Sequence, residues 1–197
     1  LLTAIVIAGC SRSTGNDLLW LSDREPAVKA EVVVDPDLDL INDGFIIQGG
    51  QHNRVIKAKT EIGALYGRYA LQRLEAIGKA DCDLDIREEP SYERRILNHW
   101  DNLDNTVERG YAGWSIWHWG EPVPVEVIKD YARLNASIGI NGTVLNNVNA
   151  TPEILSQEKL TRVAEIAKIL RPYGIKVYLS VNFSSPAILG GLETSDP

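Results

Sequence analysis

Methionine is absent from the 197 residues, and cysteine is rare, with Cys10 and Cys82 as the two examples. Two cysteines are too few for a disulfide scaffold, so we expect both to be small buried or half-buried thiols. Three histidines without a carboxylate at ligand spacing do not indicate a metal site, and no Gly-rich phosphate loop is present. Without an initiator methionine, and with ends at Leu1 and Pro197, we expect a fragment of a larger protein.

Positive charge is also scarce. Lys and Arg number 20 against 27 Asp and Glu, which gives a formal net charge of −7. The basic residues form no cluster, so nucleic acid and anionic membranes are excluded as expected partners. No segment approaches the ~20 consecutive apolar residues that a membrane span requires, so we expect no membrane span.

The first ten residues allow two interpretations. Ile7-Ala8-Gly9-Cys10 matches the end of a bacterial lipoprotein signal, in which Cys10 would carry the lipid. Such a signal needs a basic segment before its apolar core, and none is visible. We therefore favour a buried strand at 4–7, and both the cytoplasm and the periplasm of a bacterium remain open as compartments.

The composition is that of an ordinary globular protein, with 44% hydrophobic and 24% charged residues, enough for one or two domains with a core. Residues 1–89 mix short apolar runs with an amphipathic helix near 61–77, which predicts a small sheet with one helix on its face. The expected strands are 4–7, 32–34, 44–48, 55–58 and 83–86. Glu88-Glu89-Pro90 breaks this pattern and sets the predicted boundary with a second domain, 90–197.

Residues 90–197 alternate between strands and helices. The predicted strands are 95–98, 143–146 and 176–181, and the predicted helices are 125–138 and 157–170. Ser156 is the expected N-cap of the second helix. Apolar spacing assigns one side of each helix to the core, with Ile128, Tyr131, Leu134 and Ile138 on the first and Leu160, Val163, Ala164 and Ala167 on the second. This βαβαβ order demands parallel strands joined by right-handed crossovers, as found in both doubly wound sheets and (β/α)8 barrels.

Each of these three strands ends in polar residues. The clusters are Asn98-His99-Trp100-Asp101, Asn146-Asn147-Val148-Asn149 and Asn182-Phe183-Ser184-Ser185. In a barrel the carboxyl ends of the strands converge on one face, where the site lies. Asn supplies a donor and an acceptor, and Trp can stack on a sugar face, so the clusters favour a carbohydrate site over isolated turns. We expect His99 to be a hydrogen-bonded structural residue rather than a base.

The second half also carries several long motifs in a fixed order. They are Asn98-His99-Trp100-Asp101-Asn102-Leu103-Asp104, Glu108-Arg109-Gly110-Tyr111-Ala112-Gly113, Ser115-Ile116-Trp117, residues 131–142, residues 146–150, Arg171-Pro172-Tyr173-Gly174-Ile175 and residues 182–186. Together they resemble the start of the catalytic barrel of glycoside hydrolase family 67, the α-glucuronidases of xylan breakdown. The resemblance is strong from about Arg94 to the end. It implies an α/β fold in which a small α+β accessory domain, incomplete at its start, precedes the first three or so βα units of a truncated (β/α)8 TIM barrel.

The resemblance also implies an activity. Enzymes of this family hydrolyse the α-1,2 bond of (4-O-methyl)glucuronic acid on xylo-oligosaccharides, with inversion and without a cofactor. The expected partners are therefore glucuronoxylan-derived oligosaccharides, and the full-length protein is compatible with a homodimer. The family places its catalytic acid and bases on later strands, beyond Pro197, so we expect this chain alone to be inactive. Asp101 and Asp104 are accordingly not interpreted as a catalytic pair.

The resemblance assigns substrate binding to residues at the strand ends. It implies that Trp100 lines the pocket around the uronic acid ring, and Val148 is a candidate apolar wall for a 4-O-methyl group. Glu108 and Arg109 either contact substrate or brace the loop. The remaining expected substrate-binding residues are Asp101, Asn102, Asn147 and Asn182. Two alternatives stay open: another barrel glycosidase such as a β-hexosaminidase, or a non-catalytic sugar-binding fragment.

Overall fold

The structure is a computed structural model that describes residues 29–108, 113–149 and 151–191. It divides into two compact units. The first comprises the described residues up to Glu93 together with Ser137–Gly139, and the second comprises the other described residues from Arg94 onward. The change of unit thus falls a few residues after Glu88-Glu89-Pro90. The strand predicted at 4–7 and the lipoprotein-like Cys10 lie outside the described residues.

The first unit contains a four-stranded mixed sheet with the order β1-β3-β2-β4. Its strands are β1 (Glu31–Val34), β2 (Phe45–Gly49), β3 (Val55–Ala58) and β4 (Leu84–Glu88). β2 and β3 form an antiparallel hairpin, with Ile47 opposite Ile56, and both of these side chains are fully buried. β1 pairs with β3 in parallel, and β4 pairs with β2 in antiparallel orientation. The four strands predicted within the described part of this unit are therefore confirmed.

One helix, α1 (Glu61–Ala76), packs on this sheet. It begins at Thr60, whose hydroxyl accepts a hydrogen bond from the amide of Gly63 at 3.1 Å, and it ends before Gly78, which has a positive φ of 64°. A side chain at Gly63 would meet the carbonyl oxygen of Gly44 at 2.5 Å. A side chain at Gly67 would meet Cγ2 of Ile56 at 2.6 Å. These two glycines therefore permit the close approach of helix and sheet.

Cys82, between α1 and β4, is half-buried as expected, but it is disulfide-bonded rather than a free thiol. The protein's other cysteine, Cys10, lies outside the described residues. The expectation of a free thiol was therefore wrong for Cys82, because the residues around a cysteine carry no signal for a cross-link.

The second unit contains a parallel three-stranded sheet in sequential order. Its elements are β5 (Ile96–Asn98), α2 (Val125–Ser137), β6 (Gly142–Val144), α3 (Gln157–Leu170), β7 (Lys176–Tyr178) and α4 (Ser185–Gly190). The parallel pairs β5–β6 and β6–β7 confirm the predicted βαβαβ order, and Ser156 caps α3 through a bond from the amide of Lys159. β6 and β7 are shorter than predicted, because after each strand the backbone leaves the regular sheet pairing and enters a loop.

A hydrophobic core cluster of this unit includes the fully buried Trp117, Ile128, Leu145, Ile166 and Leu170. The predicted core-facing sides of the helices are confirmed in part, since Ile128 is fully buried and Tyr131, Val163 and Ala167 are half-buried. The other four positions were wrong: Leu134 is 44% exposed, Ile138 is 66% exposed, and Leu160 and Ala164 are exposed as well. Apolar residues occur on more than one side of α2 and α3, so the period alone identified the packing side only approximately.

Candidate functional site

The ends of β5 and β6 continue side by side beyond the regular ladder. The amide of His99 donates to the carbonyl of Val144 at 3.2 Å, and the amide of Asn147 donates to the carbonyl of Asp101 at 3.0 Å. Parallel strands bring their carboxyl ends to the same edge of a sheet. The structure therefore places Asp101 beside Asn147, although the two residues are 46 positions apart in the sequence.

The loop after β5 is held by its own polar side chains. The Asp104 carboxylate accepts from the amide of Thr106 at 2.9 Å and from its hydroxyl at 2.6 Å, and the carbonyl of Thr106 accepts from the amide of Asn102. Asn105 takes a positive φ of 71°, which Asn tolerates better than most residues, and its side-chain amide donates to the carbonyl of Trp119. The hydrogen bonds from Thr106 lower the pKa of the Asp104 carboxyl.

The loop after β6 is fixed by three asparagines. Asn146, 1% exposed, donates to the carbonyl of Ser180 and accepts from the amide of Ser180, both at 3.0 Å. Asn147, 2% exposed, donates to the side-chain oxygen of Asn102 and accepts from the amide of Asn149. Asn149 donates in turn to Glu108 at 3.2 Å. The amides thus join the loops that follow β5, β6 and β7.

A cavity of about 370 Å³ opens between the loops after β5 and β6; we name it the strand-end cavity. It is lined by Asp101, Asn102, Leu103, Asp104, Asn146, Asn147, Asn149, Thr151 and Glu153. Its volume falls within the range of about 300–1,000 Å³ for small-molecule sites. Carboxylates accept hydrogen bonds and amides both donate and accept, so this lining suits a ligand rich in hydroxyl groups.

Three of the predicted site residues, Asp101, Asn102 and Asn147, line the strand-end cavity. Glu108 lies beside it through its contact with Asn149. Arg109 lies outside the described residues.

Other predicted residues are placed elsewhere in the described part of the chain. Trp100 is half-buried, and its carbonyl accepts from the amide of Glu108, but it does not line the strand-end cavity. Val148 is 50% exposed. Asn182 accepts from the amide and hydroxyl of Ser184 at 2.9 and 2.8 Å, immediately before α4. Asn182 therefore orders the turn that leads into α4.

The sequence reasoning did not assign several residues that line the strand-end cavity: Leu103, Asp104, Asn146, Asn149, Thr151 and Glu153. Asn146 and Asn149 belong to the recognised polar cluster and could have been included with it. Thr151 and Glu153 lie on a capped turn, because the Thr151 hydroxyl accepts from the Glu153 amide at the start of the short 3-10 helix Pro152–Leu155. The sequence Thr-Pro-Glu carries this capping signal, but nothing local places it beside Asp101.

The described residues also limit other types of site. Among residues 29–108, 113–149 and 151–191, no group of three His, Cys, Asp or Glu side chains could hold a metal ion. Within the same ranges, the helices are too short or too polar to cross a membrane.

Residues 75–197 match the family model described as the glycosyl hydrolase family 67 middle domain. The chain is 44% identical over 165 residues to the probable alpha-glucuronidase A of Aspergillus terreus, covering 82% of this chain and 19% of that protein. It is 44% identical over 166 residues to the alpha-glucuronidase A of Emericella nidulans, covering 81% and 20%. The chain thus spans about a fifth of the length of these curated relatives.

Solved structures are more distant in sequence. A glycoside hydrolase family 20 β-N-acetylglucosaminidase aligns with a TM-score of 0.51 at 15% identity, covering 87% of this chain and 39% of that chain. An enzyme of glycoside hydrolase family 138 that targets pectin rhamnogalacturonan II aligns with a TM-score of 0.53 at 16% identity, covering 83% and 21%. These similarities concern the fold alone. Since the family model matches more than half of the sequence, the chain belongs to glycosyl hydrolase family 67.

Proposed function

We propose that this chain is a segment of an α-glucuronidase that removes (4-O-methyl)glucuronic acid from xylo-oligosaccharides by hydrolysis of the α-1,2 bond, with inversion. The observation that carries the proposal is the 44% identity to two alpha-glucuronidases over more than four-fifths of the chain. The hydroxyl-binding character of the strand-end cavity supports it independently. The natural partners would then be oligosaccharides derived from glucuronoxylan.

The proposal includes a domain assignment. Residues 1–89 would form an accessory α+β domain, and residues 90–197 would form the first three strands of a (β/α)8 barrel. Parallel pairing in sequential order, with a helix after each strand, is the pattern of such a barrel. Leu97 on β5 is 38% exposed and Val181 after β7 is 49% exposed. A sheet closed by further strands would cover both residues.

In this proposal the residues described here bind and orient the sugar, and they do not transfer protons. Asn102, Asn147 and the buried carboxylate of Asp101 would contact hydroxyl groups in the strand-end cavity. Trp100 and Arg109 would contact the uronic acid, the indole by stacking and the guanidinium by pairing with the carboxylate. Val148, Glu108 and Asn182 remain proposed contacts of the complete site.

Asp101 and Asp104 are not proposed as the catalytic pair, for a chemical reason. An inverting glycosidase needs one protonated carboxylic acid and one carboxylate base, about 6.5–9.5 Å apart. The acid has a raised pKa, whereas the hydrogen bonds from Thr106 lower the pKa of Asp104. The family assignment, rather than this pKa, is the reason that we propose later strands, beyond Pro197, for the catalytic acid and bases.

The alternatives receive less support. The family 20 enzyme shares 15% identity with this chain, against 44% for the alpha-glucuronidases, so a β-hexosaminidase is not favoured. A non-catalytic sugar-binding fragment differs from our proposal in what the longer protein does, and activity measurements separate the two.

The test compares the 197-residue chain with the longer protein that we propose contains it. Both are incubated with aldouronic acids, and released (4-O-methyl)glucuronic acid is quantified by chromatography against a buffer blank. We expect release from the longer protein, with inverted anomeric configuration by proton NMR, and none from the 197-residue chain. No release from the longer protein would refute the proposal. Release by the 197-residue chain would refute the placement of the catalytic residues.

A further inference from the structure

Four polar side chains form a network of contacts that ends at Asp101, in the lining of the strand-end cavity. The Tyr131 hydroxyl on α2 lies 2.9 Å from the Thr143 hydroxyl on β6 and 2.9 Å from Nε2 of His99. On the other side of the same ring, Nδ1 of His99 lies 3.7 Å from Oδ1 of Asp101. Thr143 is fully buried and the side chain of Asp101 is 6% exposed, so both ends of this network are shielded from water.

Aromatic packing fixes the position of this imidazole. The centroids of the His99 and Trp117 rings are 5.1 Å apart, those of Trp117 and Tyr131 are 5.3 Å apart, and those of His99 and Tyr131 are 5.4 Å apart. The His99–Trp117 and Trp117–Tyr131 pairs are edge-to-face, a favourable geometry for aromatic rings. Trp117 is fully buried, so the rings have little freedom to reorient.

The hydrogens of the network follow from its partners. A carboxylate only accepts hydrogen bonds, so Nδ1 of His99 faces Asp101 favourably when that nitrogen carries a hydrogen. The contact of 3.7 Å is longer than a direct hydrogen bond and acts electrostatically. In a neutral imidazole with its hydrogen on Nδ1, Nε2 is an acceptor, so the Tyr131 hydroxyl donates to Nε2 and accepts from the Thr143 hydroxyl, since the hydrogens of both hydroxyls can rotate to suit. Burial is the main reason that the pKa of Tyr131 is raised to about 12, so its hydroxyl keeps its proton at neutral pH.

We propose that His99 is a positioning residue: held by Tyr131 and Thr143, its imidazole presents Nδ1–H to Asp101 and fixes that carboxylate in the wall of the strand-end cavity. This role rests on the proposed sugar-binding function of the cavity. A buried carboxylate without a donor facing it would be free to turn, and that change would weaken its acceptance of a hydrogen bond from a sugar hydroxyl.

The substitution Tyr131→Phe tests the role, because it removes the hydroxyl and keeps the ring that packs on His99 and Trp117. Tyr173→Phe is the matched control, since Tyr173 packs against the same core cluster without belonging to the network. The first readout is nitrogen-15 NMR of His99 in the 197-residue chain. We expect Nδ1 to be protonated in the parent and in Tyr173→Phe, and the two tautomers to mix in Tyr131→Phe. An unprotonated Nδ1 in the parent would overturn the proposal.

The second readout is the affinity of the same three proteins for xylobiose and glucuronic acid, from amide shifts during titration. We expect Tyr131→Phe to weaken sugar binding by about tenfold, the effect of one hydrogen bond to a charged group, while Tyr173→Phe leaves it unchanged. Equal affinity of Tyr131→Phe and the parent would overturn the positioning role alone. A parent that shows protonated Nδ1 but binds neither sugar would overturn the sugar-binding function of the cavity, and the role of His99 with it.

Discussion

Asn146 joins the loops that follow β6 and β7 through two hydrogen bonds. Its side-chain amide donates to the carbonyl of Ser180 and accepts from the amide of the same residue, both at 3.0 Å, and Asn146 itself is 1% exposed. These two hydrogen bonds extend the pairing of β6 with β7 beyond Val144 and Tyr178, where the regular backbone pairing ends. Replacing Asn146 should therefore loosen the polar end of the second unit.

The size of the effect follows from two hydrogen bonds. Each contributes about 1 kcal/mol net, and a buried group that loses its partner costs about 1–3 kcal/mol. Ser180 is only half-buried, so water replaces part of what is lost. For Asn146→Ala we expect the free energy of unfolding to fall by roughly 2–3 kcal/mol. Each kcal/mol corresponds to about 4–8 °C in melting temperature for a unit of this size. Asn146→Asp keeps the acceptor but turns a second oxygen toward the Ser180 carbonyl, so it should lose more at neutral pH.

The assay is urea denaturation of the 197-residue chain, followed by tryptophan fluorescence and far-ultraviolet circular dichroism. Asn149→Ala is the control, because Asn149 is exposed and should change the free energy of unfolding by less than about 0.5 kcal/mol. Asn146→Asp should regain stability near roughly pH 4, where its carboxyl takes up a proton and can donate again. If Asn146→Ala unfolds with the same midpoint and slope as Asn149→Ala, the reasoning is refuted.

Three further predictions concern other parts of the chain. Gly63→Ala should lower the free energy of unfolding by about 1–3 kcal/mol in urea, because the new methyl group meets the Gly44 carbonyl at 2.5 Å; an unchanged midpoint would contradict this packing. The free energy of unfolding should fall as pH rises from about 10 to about 12. The reason is that burial raises the pKa of folded Tyr131 to about 12, whereas the tyrosine of the unfolded chain loses its proton near its ordinary pKa of about 10. Tyr131→Phe should make that fall shallower, as followed by alkaline titration of circular dichroism. In the complete enzyme, Trp100→Ala should reduce kcat/KM about tenfold to a hundredfold with a smaller effect on Tm. Early melting with normal kinetics would instead assign Trp100 to the core.

Local signals in the sequence were sufficient for most of the secondary structure. Ser156 and the apolar period predicted α3 at Gln157–Leu170, and the short apolar runs at 44–48 and 55–58 predicted β2 and β3. These features depend on neighbours a few residues apart, which the sequence displays directly. The short α4 was not predicted, because the turn-forming residues before it indicated only a loop.

Features that depend on distant residues were less accessible. Leu134 and Ile138 had core spacing but are exposed, whereas Ile128 on the same helix is fully buried, so the apolar period located the packing side of α2 only approximately. The polar strand ends correctly indicated where a cavity could form. The sequence did not show that Asn147 bonds to Asn102, or that the turn at Thr151 completes the wall, because both depend on the paths of two loops. For the same reason Trp100, expected in the pocket, lies outside the cavity lining.

The central claim is that the strand-end cavity of this family 67 chain binds the uronic acid part of a xylan-derived oligosaccharide. Its most direct test is NMR titration of the isotope-labelled 197-residue chain with 4-O-methylglucuronosyl-xylose, with xylobiose as the comparison ligand. The account predicts saturable amide shifts centred on Asp101, Asn102 and Asn147, larger for the uronic acid ligand than for xylobiose. Shifts confined to the first unit, or no saturable shift at these three residues, would contradict it.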